Sequence, residues 1–143
     1  VTYFKKKARR AKGQEGTLWD WFSRYIRLRD THNGRCKCFT CWRSYHPKEM
    51  EAGHFVKRDR KSVKYHEKNV HPQCHWCNHP QDGNAGRYAI ELDKRYGKGT
   101  AEMLIGLGTR TGGIRPFEFK TLSDYYRKLA NAELKRAKVE KWW

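Results

Sequence analysis

Two Cys-x-x-Cys pairs, Cys38/Cys41 and Cys74/Cys77, bracket a segment holding Glu51, His54 and Asn69, and the second pair runs directly into Asn78. A short turn with this spacing aims both sulfurs at one metal ion. Two such turns supply four thiolates, the closed tetrahedral set of a structural zinc. A catalytic zinc needs an open position, and four cysteines leave none, so any chemistry must lie beside this site. Loss of one ligand should unfold the domain rather than slow it. Cys36 is the spare thiol, read either as a small buried apolar residue or as a competitor of Cys38 for the metal.

The residues between and just after the pairs suit one reaction. Hydrolysis of a phosphodiester needs a base to activate water, a divalent cation to stabilise charge on the phosphorane and the leaving oxygen, and a group that orients the base. A neutral His54 can be the base. Carboxylate and amide oxygens, such as those of Glu51 and Asn78, suit Mg²⁺ or Mn²⁺.

The whole chain agrees with a polyanionic partner. Its 143 residues carry 32 Lys and Arg against 15 Asp and Glu, a formal charge of +17, with 37% hydrophobic residues. A field of that sign favours nucleic acid or an anionic membrane face. No apolar run approaches the roughly 20 residues of a membrane helix, and no signal peptide is visible, so nucleic acid is the expected partner. Cysteines in x2-spaced pairs point to a reducing compartment. The chain starts at Val1, which reads as a piece of a longer protein. A length near 140 suits one domain with appended helices, and the modest apolar share makes an internal staple useful.

The elements that must position these groups follow from periodicity. Residues 1–16 are basic and small and read as a phosphate-contacting arm or a solvated tail. Thr17 and Asp20 resemble a capping box, and Leu18, Trp21, Phe22, Tyr25 and Ile26 then recur at helical spacing. Those aromatics suit a core face better than a base-stacking platform. Residues 51–70 read as two short strands joined by a long loop carrying Lys57, Arg58, Arg60, Lys61 and Lys64, charges placed to lie along a phosphate backbone. A helix is expected within 78–96, capped by Asp82 or Asn84 and stopped by Gly97, then a shorter one over 101–107. The last helix opens near Thr121 or Ser123. Its stripe of Leu122, Tyr126, Leu129, Ala130, Leu134 and Ala137 suits packing on the core, on the first helix or on a second subunit.

Taken together, Cys-x2-Cys, a strand His, a later Asn and a second Cys-x2-Cys followed by Asn resemble the HNH, or ββα-metal, nucleases. Within these, Glu51-Ala-Gly-His54-Phe, Asn69-Val-His71-Pro-Gln-Cys74 through Asn78, and Gly83-Asn84 look most like the phage NinG (Rap) recombination nucleases. The resemblance implies an α+β fold, a zinc-stapled, treble-clef-like HNH core with flanking helices. It divides the chain into a basic arm (1–16), an N-terminal helix (17–33), the nuclease core (34–99) and a C-terminal helical extension (100–143). It implies His54 as general base, Asn69 as the brace that orients it, Asn78 as ligand of a catalytic Mg²⁺ or Mn²⁺, and Cys38, Cys41, Cys74 and Cys77 as zinc ligands. His71 would be a phosphate contact or a structural partner, His75 surface or DNA-facing, and His79 structural or exposed.

Many HNH enzymes carry a metal-binding Asp directly before the base, where this chain has Gly53. Positions 51 and 53 face the same side of a strand, so Glu51 is the expected substitute, with Asp82 or water as alternatives. The implied activity is endonucleolytic cleavage of Holliday junctions and D-loops in a bacterial host cytoplasm. Symmetric cutting of a four-way junction implies a homodimer, with the terminal helices as interface. The competing readings are a non-catalytic zinc-stabilised nucleic-acid-binding module and an HNH endonuclease acting on linear duplex.

Overall fold

Leu18, Phe22 and Ile26 recur at four-residue spacing and are fully buried, which sets the inner face of the first helix, α1 (Gln14–Arg29). A computed structural model describes residues 13–143, so most of the basic arm expected over 1–16 lies outside the described residues. The helix starts ahead of the Thr17–Asp20 pair. Gly13 is its N-cap, and the Thr17 hydroxyl bonds back to the Gly13 carbonyl instead of forming a capping box.

The chain continues through β1 (Thr31–His32), β2 (Arg35–Lys37), β3 (Ser44–Tyr45), β4 (Glu51–His54), β5 (Val70–Gln73), α2 (His75–Asn78), α3 (Ala85–Tyr96), α4 (Thr100–Gly108) and α5 (Phe119–Ala137), an α+β arrangement. β1, β2 and β3 form a small antiparallel sheet in chain order, and the β2–β3 turn carries Cys38 and Cys41. β4 and β5 form a separate antiparallel pair with Glu51 opposite Gln73 and His54 opposite Val70. Cys74 caps α2, so the second cysteine pair begins where β5 ends.

Helix α5 lies on α1. Tyr126 meets Phe22 edge to face at 4.9 Å between ring centroids, and Ala130 and Ala137 are fully buried. Arg136 closes the joint: its Nη2 donates to the carbonyls of Leu28 and Arg29 at the end of α1 and of Thr31 in β1. The stripe that suited three partners is therefore covered by α1 of the same chain. Its start at Phe119 follows a 3₁₀ turn at Pro116–Glu118 that a search for an N-cap at Thr121 or Ser123 overlooks.

Two arginines of α1 hold the β4–β5 pair. Arg27 Nη1 donates to Pro47 O and Met50 O, just ahead of β4, and Arg29 donates to Glu67 O and Val70 O at the start of β5. Burial pulls the Arg27 guanidinium down to about 10, still charged at neutral pH. On the other side, Tyr88 and Leu92 of α3 are fully buried with Leu104 of α4. Helix α3 ends at Gly97, whose φ of 111° a side chain would resist.

Candidate functional site

The four cysteines meet. Cys38, Cys41, Cys74 and Cys77 place their sulfurs within 4.8 Å of one another, and Cys41 Sγ lies 3.7 Å from Cys74 Sγ. Zinc–sulfur bonds of about 2.3 Å in a tetrahedron set sulfurs about 3.8 Å apart, so the group fits a zinc ion. Burial alone would raise the Cys38 thiol, but the Cys74 amide, the Thr40 hydroxyl and the amides of Cys41 and Thr40 stabilise its thiolate and bring it down to about 7. Burial and the neighbouring sulfurs push Cys41 and Cys74 up. A cation would replace the protons this cluster retains. Cys36 stands apart: it is fully buried, its thiol donates weakly to Arg27 O, and burial raises it to about 12, the behaviour of a small core residue.

His54 closes β4 on the side facing α1. Its ring stacks on Trp19 at 5.2 Å with 17° between planes, and Nε2 lies 2.9 Å from the Lys64 carbonyl. A carbonyl only accepts, so Nε2 carries the proton and Nδ1 holds a lone pair, which meets no hydrogen-bond partner among the described residues. Burial lowers the imidazole to about 4, against the help of the Lys64 carbonyl, and the charges of Arg58, Lys64 and Lys57 lower it further. At neutral pH it is an uncharged base.

Asn69, expected to orient His54, acts one step away. Its Oδ1 accepts from Val56 N at 2.8 Å, and its Nδ2 donates to Val56 O and Val63 O at 2.9 and 3.1 Å. It therefore pins the loop between β4 and β5, and the Lys64 carbonyl of that loop holds the imidazole. Lys57, Arg58, Arg60 and Lys61 are exposed along this loop. Lys64 is half-buried and paired with Glu15 at 2.7 Å, while Lys57 pairs with Asp82 at 2.8 Å.

His71 corrects an expectation, because it is fully buried and offers nothing to a phosphate. Phe39 stacks on it at 4.0 Å. Tyr88 donates to Gly53 O at 2.8 Å, so His71 Nδ1–H donates to the Tyr88 hydroxyl and Nε2 accepts from Tyr96. The ring is a neutral link between β5 and α3, and Tyr88 carries the link on to β4. Burial holds the pKa of His71 well below the ordinary value.

At the other end of β4, Glu51 meets helix α2. Asn78 Nδ2 donates to Glu51 Oε1 at 2.7 Å, His75 Nδ1 lies 3.1 Å from Oε2, and His79 Nε2 lies 2.7 Å from Oε1. Burial opposes ionisation, but the bonds from Asn78 and His75 and the His79 and His75 charges hold the carboxyl below its usual range. Residues 75, 78 and 79 share one face of a helical turn, a spacing visible in the sequence but too short to register as a periodic pattern. His75 and His79 were the residues overlooked. Glu51 and Asn78 come together as a pair, whereas His54 does not join them: Ala52 and His54 face α1, and Glu51 and Gly53 face the other way.

Gly53 stands against Gln73. A Cβ built on Gly53 would overlap Gln73 Oε1 and come within 2.7 and 2.9 Å of its Cδ and Cγ. Gln73 is fully buried, with Nε2 donating to Thr40 Oγ1 and Gly83 O, while its Oε1 finds no donor among the described residues. Gln73 fills the space an Asp at 53 would need. Asp82 is exposed and engaged with Lys57, and Asn84, in the left-handed region at φ 50°, is the N-cap of α3 as expected, with its side-chain amide sent to Cys77 Sγ at 3.8 Å and not to the helix.

Among the described residues no helix is long and apolar enough to cross a membrane. No curated protein and no solved structure matches the chain. A family model described as Bacteriophage Lambda NinG protein matches residues 3–138.

Proposed function

The chain belongs to the bacteriophage lambda NinG family, and on that premise we propose that it is a metal-dependent endodeoxyribonuclease of the HNH type that cuts branched recombination intermediates. The observation that carries this reading is the arrangement of β4: a neutral His whose Nδ1 has no partner among the described residues at one end, a Glu–Asn pair at the other, and a basic loop leaving the His end. In this reading Nδ1 of His54 takes the proton of the attacking water while Nε2–H stays bonded to Lys64 O, which fixes the ring and favours the imidazolium that forms. Glu51 and Asn78 would hold Mg²⁺ or Mn²⁺, which when bound stabilises charge on the phosphorane and leaving oxygen. Lys57, Arg58, Arg60 and Lys61 hold the phosphate backbone, and a homodimer supplies the second site that symmetric cutting of a four-way junction needs. The reading places these events in the host cytoplasm.

Three residues of strand rise separate the Cα atoms of Glu51 and His54 by about 10 Å. If both serve one scissile phosphate, their losses must not add. Cleavage of a four-way junction in Mg²⁺ or Mn²⁺ should fall on the order of 10²–10⁴-fold in His54→Ala, comparably in Glu51→Gln, and little further in the double variant. Unchanged cleavage by His54→Ala would remove the base assignment. The stacked, backbone-bonded His54 also fits a purely structural ring, the non-catalytic zinc-stabilised nucleic-acid-binding module. That reading predicts junction binding without cleavage by the wild-type chain. Equal cleavage of linear duplex would favour an HNH enzyme without branch selectivity.

A further inference from the structure

We propose that Glu51, His75 and His79 form a second metal site that selects a borderline transition ion such as Co²⁺, Ni²⁺ or Zn²⁺ over Mg²⁺. One oxygen of Glu51 faces His79 Nε2 at 2.7 Å, the other faces His75 Nδ1 at 3.1 Å, and the three side chains offer ligand atoms within 4.8 Å of one another. The imidazole rings sit 4.5 Å apart and 31° from parallel. A cation about 2.1 Å from each ligand sets neighbouring ligands about 3.0 Å apart in an octahedron and about 3.4 Å in a tetrahedron, so small side-chain movements complete the set.

The backbone around the cluster is fixed by other groups. His75 directly follows Cys74, His79 comes two residues after Cys77, and the His79 amide bonds to the His75 carbonyl at 2.9 Å. The ends of this turn are thus set by the four-cysteine group, while Glu51 is set by pairing of β4 with β5 opposite Gln73. A chance surface ion pair has no such scaffold and is worth little. The side chains of His75 and His79 are 72% and 57% exposed, so three protein ligands leave coordination positions open to water or a phosphate oxygen. Imidazole nitrogen beside carboxylate favours transition ions, whereas Mg²⁺ prefers an all-oxygen shell. Rotation of the Asn78 amide, whose Nδ2 now touches Glu51, would bring its oxygen to the same place.

The site follows from this geometry alone; its service in the reaction rests on the nuclease reading, in which a transition ion held here would take the place of the Mg²⁺ or Mn²⁺ assigned to Glu51 and Asn78. The test uses the full chain carrying its tightly held zinc, titrated with Co²⁺ and followed by calorimetry and visible absorption, with no DNA present. The expected result is one further Co²⁺ per chain with nitrogen and oxygen ligation and no thiolate charge-transfer band. Affinity should fall on the order of 100-fold or more in His75→Gln/His79→Gln. Both histidines are exposed, so a melting curve close to wild type accompanies that loss. Absence of Co²⁺ binding beyond the cysteine site, equal affinity in the double variant, or a thiolate band would each overturn the proposal. Those outcomes leave Mg²⁺-supported cleavage untouched, whereas active His54→Ala would remove the base assignment and leave this site standing.

Discussion

Installing the Asp that HNH nucleases commonly carry before the base should damage this protein rather than improve it. In Gly53→Asp the new Cβ overlaps the Gln73 carboxamide, and Gln73 has no free space because it is fully buried between Thr40 and Gly83. Moving it breaks two hydrogen bonds and strands the Gly83 carbonyl. An unsatisfied buried group costs about 1–3 kcal/mol, so with the steric term the loss is about 3–5 kcal/mol, a large share of the roughly 5–15 kcal/mol that holds a domain together. Gly53→Ala isolates the steric part and should cost about 2–4 kcal/mol. The assay is urea unfolding of Gly53→Ala, Gln73→Ala and the double variant. Removing the Gln73 side chain vacates the space, so the double variant should be more stable than the sum of the single losses predicts, by about 1–3 kcal/mol. Gly53→Ala within about 0.5 kcal/mol of wild type, or strictly additive losses, would refute the packing argument.

Two further expectations concern the metal and the pH. Purified protein should hold one zinc tightly at the cysteines, and Cys74→Ser or chelation should abolish cooperative melting; a folded zinc-free chain would show that the cluster is not a staple. His54 has a folded value of about 4 against an ordinary 6.5, because burial disfavours its charge. The unfolded chain therefore binds the proton first: the contribution of neutral His54 is whole above pH 6.5 and is lost as pH falls toward 4. At pH 5 the loss is about 2 kcal/mol. Stability measured at pH 7.5 and pH 5 should fall less in His54→Gln than in wild type by about that amount, and an identical fall in both would mean that His54 is not the buried neutral group.

What was legible in the sequence is what depends on short separations. A Cys-x-x-Cys turn aims its own sulfurs, so each half of the cluster is local, and a zinc needs only that the halves face each other, as they do. That Glu51 shares a strand face with Gly53 followed from alternation, and the structure sets its carboxylate against Asn78. His71 stayed open between a phosphate contact and a structural role because its cage of Phe39, Tyr88 and Tyr96 is assembled from distant parts of the chain. Gln73 was invisible for the same reason: its role comes from the cross-strand approach to Gly53. Periodicity identified the apolar stripe of α5 but not its partner, since a helix face records that it is covered and not by what.

The two ends of β4 rest on different foundations. His54 is positioned by aromatic packing, with Trp19 against its ring and Asn69 holding the loop that carries Lys64 O. Glu51 meets a helix of four residues, far below the length at which a helix holds itself together in water. That turn keeps its shape because Cys74 and Cys77, its cap and its third residue, belong to the four-sulfur cluster. A zinc bound there would do more than close the core: it would set the orientation of His75, Asn78 and His79 toward Glu51. The His54 end draws on apolar burial and the Glu51 end on the four-cysteine cluster. The four-residue strand joining them is held by Arg27 from α1 just ahead of its start and by the Tyr88 hydroxyl from α3 at Gly53.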